Sequence, residues 1–296
     1  MHYRLIFIFF FLALFTSCIS RPTILYVSTE GSDCNSGSLK QPLASLQKAV
    51  ECSRIKNIKK IQIKGGNYYN VSVKLTPRDS GLYIEAFPGE KPVLYGGYPV
   101  NKWQHSGDFF VKQLTSDFDV RIFTVNNQPR KRSRLPQEGG FIHQDKWDVP
   151  WMSTAGGGWK TKPSLEKLTT LTYDPKDIRA DLNIKNAEIS IYHFWDESQT
   201  GLSGMDLQKH QFKLSKPATH PPGAFANRSE NARKYVIWNT REGMAQPGQW
   251  YFDREEKKLW YWPFPGENVD SLDAIVPSCN YILNFADGAN NITISN

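Results

Sequence analysis

The segment His193–Phe194–Trp195–Asp196–Glu197 combines an imidazole, two flat aromatic rings and two carboxylic acids. Hydrolysis of a glycosidic bond ordinarily uses two carboxyl groups held about 5–9.5 Å apart. Asp196 and Glu197 are neighbours at an apparent strand end, so their side chains should point to opposite faces and cannot form this pair alone. His193, Trp195 and Asp196 could instead line a sugar subsite. The alternative is a strand-end loop with a structural tryptophan.

A basic stretch, "QPRKRSRLPQEGG", places Arg130, Lys131, Arg132 and Arg134 close together. The planar guanidinium group suits a carboxylate, so acidic glycans that contain uronates are a candidate ligand, and Arg134 is the candidate residue. The alternative is a solvated loop in which one arginine makes a structural ion pair. Trp159 belongs to "STAGGGWK", which lacks the Gly-Lys-Ser/Thr ending of a phosphate loop. We predict a flexible loop there and include Trp159 among the substrate-binding candidates.

The composition describes a folded protein that is rich in aromatic residues. The chain has 296 residues, 13% of them aromatic, with nine tryptophans and a net charge of +7. This length fits one large β domain or two smaller ones. The charge mildly favours an acidic partner. No nucleotide fingerprint or Cys/His cluster with zinc spacing occurs, so we expect no cofactor, no metal and no nucleic-acid partner.

The first twenty residues, "MHYRLIFIFFFLALFTSCIS", are typical of an export signal, with a short apolar run between basic and small residues. "FTSC" is similar to a lipobox that would lipidate Cys18, and cleavage after Ser20 is the alternative. We therefore predict a secreted, periplasmic or outer-surface protein whose membrane contact is limited to a lipid anchor. In such an oxidising compartment Cys34 and Cys52 could form a disulfide that ties the entry loop to the following helix.

The rest of the chain divides into three parts by its hydrophobic pattern. Residues 21–101 predict a strand, a helix ("LASLQKAVECSR") and short strands spaced about twenty residues apart, which is typical of a solenoid whose end the helix caps. Residues 102–265 lose this spacing and show longer strands, among them "VRIFTVNNQ" at residues 120–128, which predict an inserted antiparallel β domain. Short strands resume in residues 266–296. A solenoid usually ends with a cap, so this ending predicts an incomplete one.

The segment "QWYFDREEKKLWYWPFPGE", residues 249–267, predicts a hairpin with aromatic side chains on both faces. We expect one face to pack into the core of the insertion. The other face should press on the solenoid or line the groove beside it, because an exposed aromatic patch would be unfavourable.

The segment "YVSTEGSDCNSGSLKQPLASLQKAV", followed by "IQIKGGNYY", resembles the opening of secreted right-handed parallel β-helix proteins that act on polysaccharides. Three later blocks, in the same order, resemble the insertion domain of family-141 glycoside hydrolases: "RADLNIKNAEISIYHFWDES", "MDLQKHQFKLS" and "PGQWYFDREEKKLWYWPFPGE". In that family "RxRLPxEG", here around Arg134, stands where the chain enters the insertion.

The resemblance implies an all-β fold: the start of a right-handed parallel β-helix with an N-terminal capping helix, interrupted by an antiparallel insertion. It implies the N-terminal portion of a secreted glycoside hydrolase-like protein that binds polysaccharide or oligosaccharide. A non-catalytic glycan-binding module and the front of a polysaccharide lyase are the alternatives. The family's acids are expected on later coils, so no catalytic residue is assigned, and we expect this chain alone to lack glycosidase activity.

Overall fold

The computed structural model describes residues 23–115, 118–152, 157–268 and 271–296. The predicted signal segment and Cys18 lie outside these residues. The strands are β1 Leu25–Val27, β2 Lys60–Ile63, β3 Gly66–Tyr68, β4 Val73–Leu75, β5 Tyr83–Ala86, β6 Pro92–Leu94, β7 Gly97–Val100, β8 Gln104–Ser106, β9 Phe109–Gln113, β10 Thr124–Val125, β11 Gln128–Pro129, β12 Lys131–Arg132, β13 Arg134–Leu135, β14 Phe141–Ile142, β15 Thr170–Thr172, β16 Glu188–Tyr192, β17 Glu197–Asp206, β18 Gln211–Leu214, β19 Lys234–Trp238, β20 Gln249–Asp253, β21 Lys258–Tyr261, β22 Ala274–Pro277, β23 Leu283–Phe285 and β24 Thr293–Ser295. The α-helices are α1 Leu46–Lys56 and α2 Leu165–Thr169, and short 3₁₀ helices cover Pro77–Asp79, Glu230–Arg233 and Arg241–Gly243. The protein is therefore mostly β, which confirms the predicted all-β class.

The chain forms two compact units. The first contains the residues up to Leu94 together with Tyr281–Asn296, and the second contains Tyr95–Asn280. The predicted insertion, residues 102–265, lies wholly within the second unit. No helix in the described part of the chain is long and apolar enough to span a bilayer.

The strands of the first unit pair in parallel. One sheet has the order β1-β2-β5-β24, and the pairs β3–β6 and β4–β23 are also parallel. The register aligns Leu25, Ile61, Ile84 and Ile294 in one column across the sheet. The first three of these side chains are buried in the core of this unit. After the predicted insertion, β23 and β24 pair in parallel with β4 and β5. That these strands are rungs of an incomplete β-helix stays a prediction.

Helix α1 packs beside this sheet, as its sequence spacing predicts. The side chain of Ser45 accepts a hydrogen bond from Lys48 N, which caps the first turn. Asp33 accepts hydrogen bonds from Ala44 N and from Ser45 N and Oγ, at 2.9, 2.9 and 2.7 Å, and so fixes the entry to the helix. Leu46, Ala49 and Val50 are buried on one face of α1.

A buried acid links α1 to the 3₁₀ helix Pro77–Asp79, which follows β4. Asp79 is 1% exposed and receives two hydrogen bonds from the Arg54 guanidinium, at 2.7 and 2.8 Å. It also accepts hydrogen bonds from Thr76 N at 2.7 Å and Thr76 Oγ1 at 3.0 Å. Burial acts to raise the pKa of Asp79, but the hydrogen bonds from Arg54 and Thr76 together lower it. The carboxylate is therefore held in its charged form at neutral pH.

Replacing Asp79 with asparagine should destabilise the first unit by about 2–3 kcal/mol, because the amide loses the charge that the Arg54 bonds require. The measurement is urea unfolding, combined with hydrogen exchange of the amides in α1 and β5. The matched control is Glu51→Gln, which removes an exposed ion pair with Lys48 and should change the free energy of unfolding by less than about 0.5 kcal/mol. Equal effects of the two substitutions would contradict this role for Asp79.

The second unit contains three sheets, which have four, five and seven strands. Their strand orders are β11-β10-β22-β7, β12-β20-β21-β9-β8 and β13-β19-β16-β17-β18-β15, and β14 also pairs with β19 in the third sheet. These pairings are antiparallel except for β12–β20. The unit has two hydrophobic cores, one around Trp250 and Phe123 and one around Phe212 and Ile189. Most strand pairs of this unit are therefore antiparallel, whereas an insertion with the predicted bounds stays a prediction.

The predicted aromatic hairpin is confirmed by β20 and β21. Trp250, Phe252 and Tyr261 point into the core of the second unit. On the other face the Arg241 Cζ atom lies 4.2 Å from the Trp260 ring centroid. Asn186 Nδ2 donates a hydrogen bond to Tyr251 Oη at 2.8 Å on the same face. Groups of the same unit therefore contact both faces of the hairpin, and packing of the second face against the solenoid stays a prediction.

Two local expectations are corrected. The segment 120–128, read as one long strand, is broken because Asn126 and Asn127 have φ of 53° and 57° and turn the chain between β10 and β11. The predicted Cys34–Cys52 bridge is not formed in the structure. Cys34 is exposed in the entry loop and Cys52 is half-buried on α1, and both are free thiols.

Candidate functional site

The most distinctive site of the second unit is a group of five rings, here called the aromatic cluster: Trp151, Trp159, Trp195, His220 and Phe225. The shortest distances between ring centroids are 4.5 Å for Trp195–Phe225 and 4.8 Å for Trp151–Trp159. His220 lies 5.5–5.9 Å from the other four rings. Phe225 is buried, whereas Trp195 is 55% exposed. The cluster therefore presents an exposed indole on a packed aromatic base.

Three segments bring these rings together. Trp195 lies in the turn between β16 and β17, where His193 N donates to Asp196 O at 2.9 Å. His220 and Phe225 come from the proline-rich connection after β18. Trp151 and Trp159 are paired with each other by an isolated antiparallel bridge. The sequence distance between these segments explains why only tertiary folding assembles the cluster.

Glycine is required at position 157, next to the Trp151 ring. Gly157 has φ of 64°, and a Cβ atom there would lie 2.6 Å from Trp151 Cζ2. Any other residue would be strained in this conformation and would push the Trp151 ring aside.

A polar chain borders the aromatic cluster. Thr219 Oγ1 donates to Asp196 Oδ2 at 3.0 Å, and Ser198 Oγ lies 3.0 Å from Thr219 Oγ1 and 2.9 Å from His193 Nε2. His220 Nε2 lies 3.8 Å from Asp196 Oδ2. Asp196 Oδ1, His193 Nδ1 and His220 Nδ1 are buried atoms without a hydrogen-bond partner among the described residues. Buried polar atoms are usually paired, so these three are candidates for pairing with a ligand or water.

The imidazoles of His193 and His220, which border the aromatic cluster, are neutral at pH 7. Burial lowers the pKa of His193 to about 4, with Asp196 opposing the shift and His220 adding to it. Burial also lowers the pKa of His220, again against the effect of Asp196. A neutral imidazole can both donate and accept a hydrogen bond, which suits recognition of hydroxyl groups.

Two cavities adjoin these residues. The tryptophan cavity, ≈ 320 Å³, is lined by Trp147, Asp148, Val149, Pro150, Trp151, Trp159, Gly223, Phe225, Ala226, Asn227 and Arg228. The lysine cavity, ≈ 420 Å³, is lined by Gly139, Gly140, Tyr192, His193, Phe194, Asn231 and Lys234. Both volumes are within the range of small-molecule sites, about 300–1,000 Å³.

The structure brings together four of the five predicted binding residues: Trp159, His193, Trp195 and Asp196. Arg134 is outside the aromatic cluster. Its guanidinium lies 4.9 Å from the Trp238 ring centroid and donates to Gly139 O, at the wall of the lysine cavity. Sequence reasoning missed Trp151, His220 and Phe225, although the aromatic and proline content of "THPPGAF" was an available signal.

The other arginines of the basic stretch are engaged in structural contacts. Arg130 donates to Glu267 at 2.6 Å, and Arg132 makes two hydrogen bonds of 2.9 Å to Glu188. They are not free to hold a ligand carboxylate, which favours the structural alternative for this stretch.

The two neighbouring acids do not form a hydrolytic pair. Asp196 accepts a hydrogen bond from Thr219, whereas Glu197 begins β17 and is exposed. In the described residues no group of three or more His, Cys, Asp or Glu side chains is placed to hold a metal ion. What the site offers is aromatic surface beside neutral and charged hydrogen-bonding groups, a combination suited to binding hydroxylated rings.

The fold is similar to that of a solved structure described as "Glycoside hydrolase", with a TM-score of 0.65 and 20% identity; the match covers 92% of this chain and 49% of that chain. A second solved structure, described as "The complex structure of XylC with xylose", matches with a TM-score of 0.35 and 14% identity, over 92% of this chain and 34% of that one. No family model and no curated protein matches the chain. The protein thus has a glycoside hydrolase-like fold and spans about half the length of the first solved structure.

Proposed function

We propose that this chain is the N-terminal portion of a secreted glycoside hydrolase-like protein that binds complex polysaccharide at the aromatic cluster. The observation that carries the proposal is the half-exposed indole of Trp195, which stands on a packed aromatic base beside Asp196 and His220. A sugar ring has an apolar face and polar edges, and this arrangement offers a partner for each. The fold likeness to a glycoside hydrolase supports the same class of ligand.

The proposed architecture is a right-handed parallel β-helix capped by α1 and interrupted by the second unit. Its support is the parallel pairing within β1-β2-β5-β24, β3–β6 and β4–β23, with α1 packed at the start. Export, with or without a lipid at Cys18, is proposed from the N-terminal sequence alone. The resemblance to family-141 glycoside hydrolases belongs to the same proposal.

A non-catalytic glycan-binding role is the second candidate. It is favoured by the separation of Asp196, which is bonded to Thr219, from the exposed Glu197. The two roles are distinguished by incubating the purified chain with plant-type polysaccharides and analysing for released sugars. If the chain releases sugars, and this release is lost on mutating Asp196, the result would favour the hydrolase role.

Substitution of Trp195 by alanine should weaken glycan binding about tenfold, because the exposed stacking surface is removed while the buried ring of Phe225 remains. The measurement is a glycan array with neutral and acidic polysaccharides, followed by titration calorimetry on the best ligand. The matched control is Phe285→Ala, which removes a similarly exposed aromatic, 51% against 55%, from β23 of the first unit. Unchanged binding by the Trp195 variant would contradict the proposed site.

A further inference from the structure

The lysine cavity shares no lining residue with the tryptophan cavity, so the two are separate spaces beside the aromatic cluster. Its lining combines the rings of Tyr192 and Phe194 with the imidazole of His193 and the ammonium group of Lys234. His193 is 4% exposed, and its Nδ1 has no partner among the described residues. The cavity therefore offers an aromatic wall, one buried unpaired nitrogen and one cation.

Lys234 carries the only formal charge among the lining residues of this cavity. It lies at the start of β19 and donates to Asn231 Oδ1 at 2.7 Å. In the described part of the chain no carboxylate lies within ion-pair distance of its Nζ atom. Lys234 is half-buried as a residue and its hydrogen bond to Asn231 is exposed, so the Nζ atom is accessible to a ligand. An ammonium group with no counter-charge among the described side chains favours a ligand that brings one.

The hydrogen bonds behind His193 determine which of its nitrogens carries the proton. Asp196 as a carboxylate can only accept, so the single hydroxyl proton of Thr219 is donated to it. The contact between Ser198 Oγ and Thr219 Oγ1 then requires Ser198 to donate. Ser198 Oγ has no proton left for His193, and it also accepts a hydrogen bond from Thr219 N at 2.9 Å. His193 must therefore donate from Nε2 to Ser198.

This order leaves His193 Nδ1 as a bare acceptor, because a neutral imidazole carries one N–H. The imidazole is neutral at pH 7 because its burial disfavours the charged form. Asp196, Thr219 and Ser198 thus act as positioning residues that set the tautomer of His193. An acceptor of this kind matches a ligand hydroxyl group.

We infer that the lysine cavity is a binding site for an acidic sugar residue, with Lys234 binding the ligand carboxylate and His193 Nδ1 accepting a hydrogen bond from a ligand hydroxyl. The inference rests on the proposed glycan binding and adds the chemical class of one sugar unit. It also moves the acid-recognising role from Arg134 to Lys234. Arg134 instead supports the cavity wall, since it donates to Gly139 O and lies against Trp238.

The test uses two probes that differ in one group: a galacturonic acid trisaccharide and the same trisaccharide with its carboxyl groups reduced. The intact chain should bind the acidic probe about tenfold more tightly, as a charge-assisted hydrogen bond to a carboxylate predicts. Lys234→Met should abolish this preference and leave the affinity for the neutral probe unchanged. The control Lys209→Met makes the same charge change in the exposed turn after β17 and should keep the preference.

The outcomes separate this inference from the proposed function. If the intact chain binds both probes equally, or if Lys234→Met keeps the preference, the inference is overturned while glycan binding stands. If the intact chain binds neither probe, and the Trp195→Ala variant binds every tested glycan as the intact chain does, both the inference and the proposed function are overturned. Loss of the preference in Lys234→Met alone supports the inference.

A second measurement does not depend on any sugar. Nitrogen-15 NMR of the histidine side chains should show His193 with its proton on Nε2 and an unprotonated Nδ1 in the intact chain. Ser198→Ala removes the acceptor for Nε2–H, so the proton of His193 should then be shared between Nε2 and Nδ1. Ser203→Ala, a serine substitution later in β17, should leave the proton on Nε2. A proton on Nδ1 in the intact chain would overturn the assigned role of His193.

Discussion

Replacing Glu188 with glutamine should lower the free energy of unfolding by about 3–5 kcal/mol, because the buried acid is the shared partner of two half-buried arginines, Arg132 and Arg254. Glu188 is 9% exposed and receives two hydrogen bonds of 2.9 Å from Arg132. Arg254 also donates to it, and Arg121 does so at 3.3 Å. Burial acts to raise the pKa of Glu188, but Arg132, Arg254 and Arg121 together lower it.

This effect is measured by urea unfolding at pH 7 with two spectroscopic probes. The control is Glu166→Gln on α2, where the side chain is exposed and the expected change is below about 0.5 kcal/mol. Because the pKa of Glu188 is lowered, its contribution is present at neutral pH and is lost as the pH falls through that lowered pKa. A loss below about 1 kcal/mol at pH 7 would contradict the view that Glu188 neutralises this arginine group.

Acidification from pH 7.5 to pH 5 should destabilise the protein by about 2 kcal/mol for each of His143 and His193. Burial lowers the pKa of both to about 4, with Arg233 adding to the shift of His143. The unfolded chain binds protons at these histidines below about pH 6.5, whereas the folded chain does not until about pH 4. Stability is therefore complete above pH 6.5 and falls through this window. Burial raises the pKa of Asp145, so this group acts in the opposite direction as the pH falls through its raised pKa.

The experiment compares urea unfolding at the two pH values for the intact chain and two variants. His143 is fully buried, with its Nδ1 atom 3.6 Å from Asp145 Oδ2, so His143→Gln should remove about half of the pH-dependent loss. His105→Gln, which changes an exposed imidazole, should leave the loss unchanged. Equal unfolding free energies at pH 7.5 and pH 5 would show that these histidines do not resist protonation.

Local signals in the sequence predicted the elements of the first unit well. Ser45 at the start of α1 and the apolar spacing of Leu46, Ala49 and Val50 define a capped amphipathic helix.

In the second unit the hairpin β20–β21 was equally clear, because Asp253 and the charged residues after it separate two aromatic runs. Asn126 and Asn127 were misread within a strand, although paired asparagines are well suited to a turn with positive φ.

Apart from Trp159, which was selected by its residue type, the candidate site was predictable only where its residues are neighbours in sequence. His193, Trp195 and Asp196 belong to one turn, so their proximity followed from the sequence. Their association with Trp151 and His220 depends on tertiary packing between distant segments. Arg134 was assigned to ligand binding from its residue type, but no local pattern reveals that Trp238 and Gly139 already engage it.

The pairing of β5 with β24 has a consequence for the order of folding. Ser295 Oγ donates to Tyr83 Oη across 212 positions, whereas the contact between Gln62 and Glu85 in the same sheet spans 23. Closing the longer loop in a flexible chain costs about 2 kcal/mol more in entropy, at roughly 0.6 kcal/mol for each doubling of length. Once the second unit has folded, Ser278 N is bonded to Gly96 O and its two ends are adjacent. If the second unit folds first, the effective loop between β5 and β24 is short. We therefore expect β24 to add late in the folding reaction, at a small cost in loop-closure entropy.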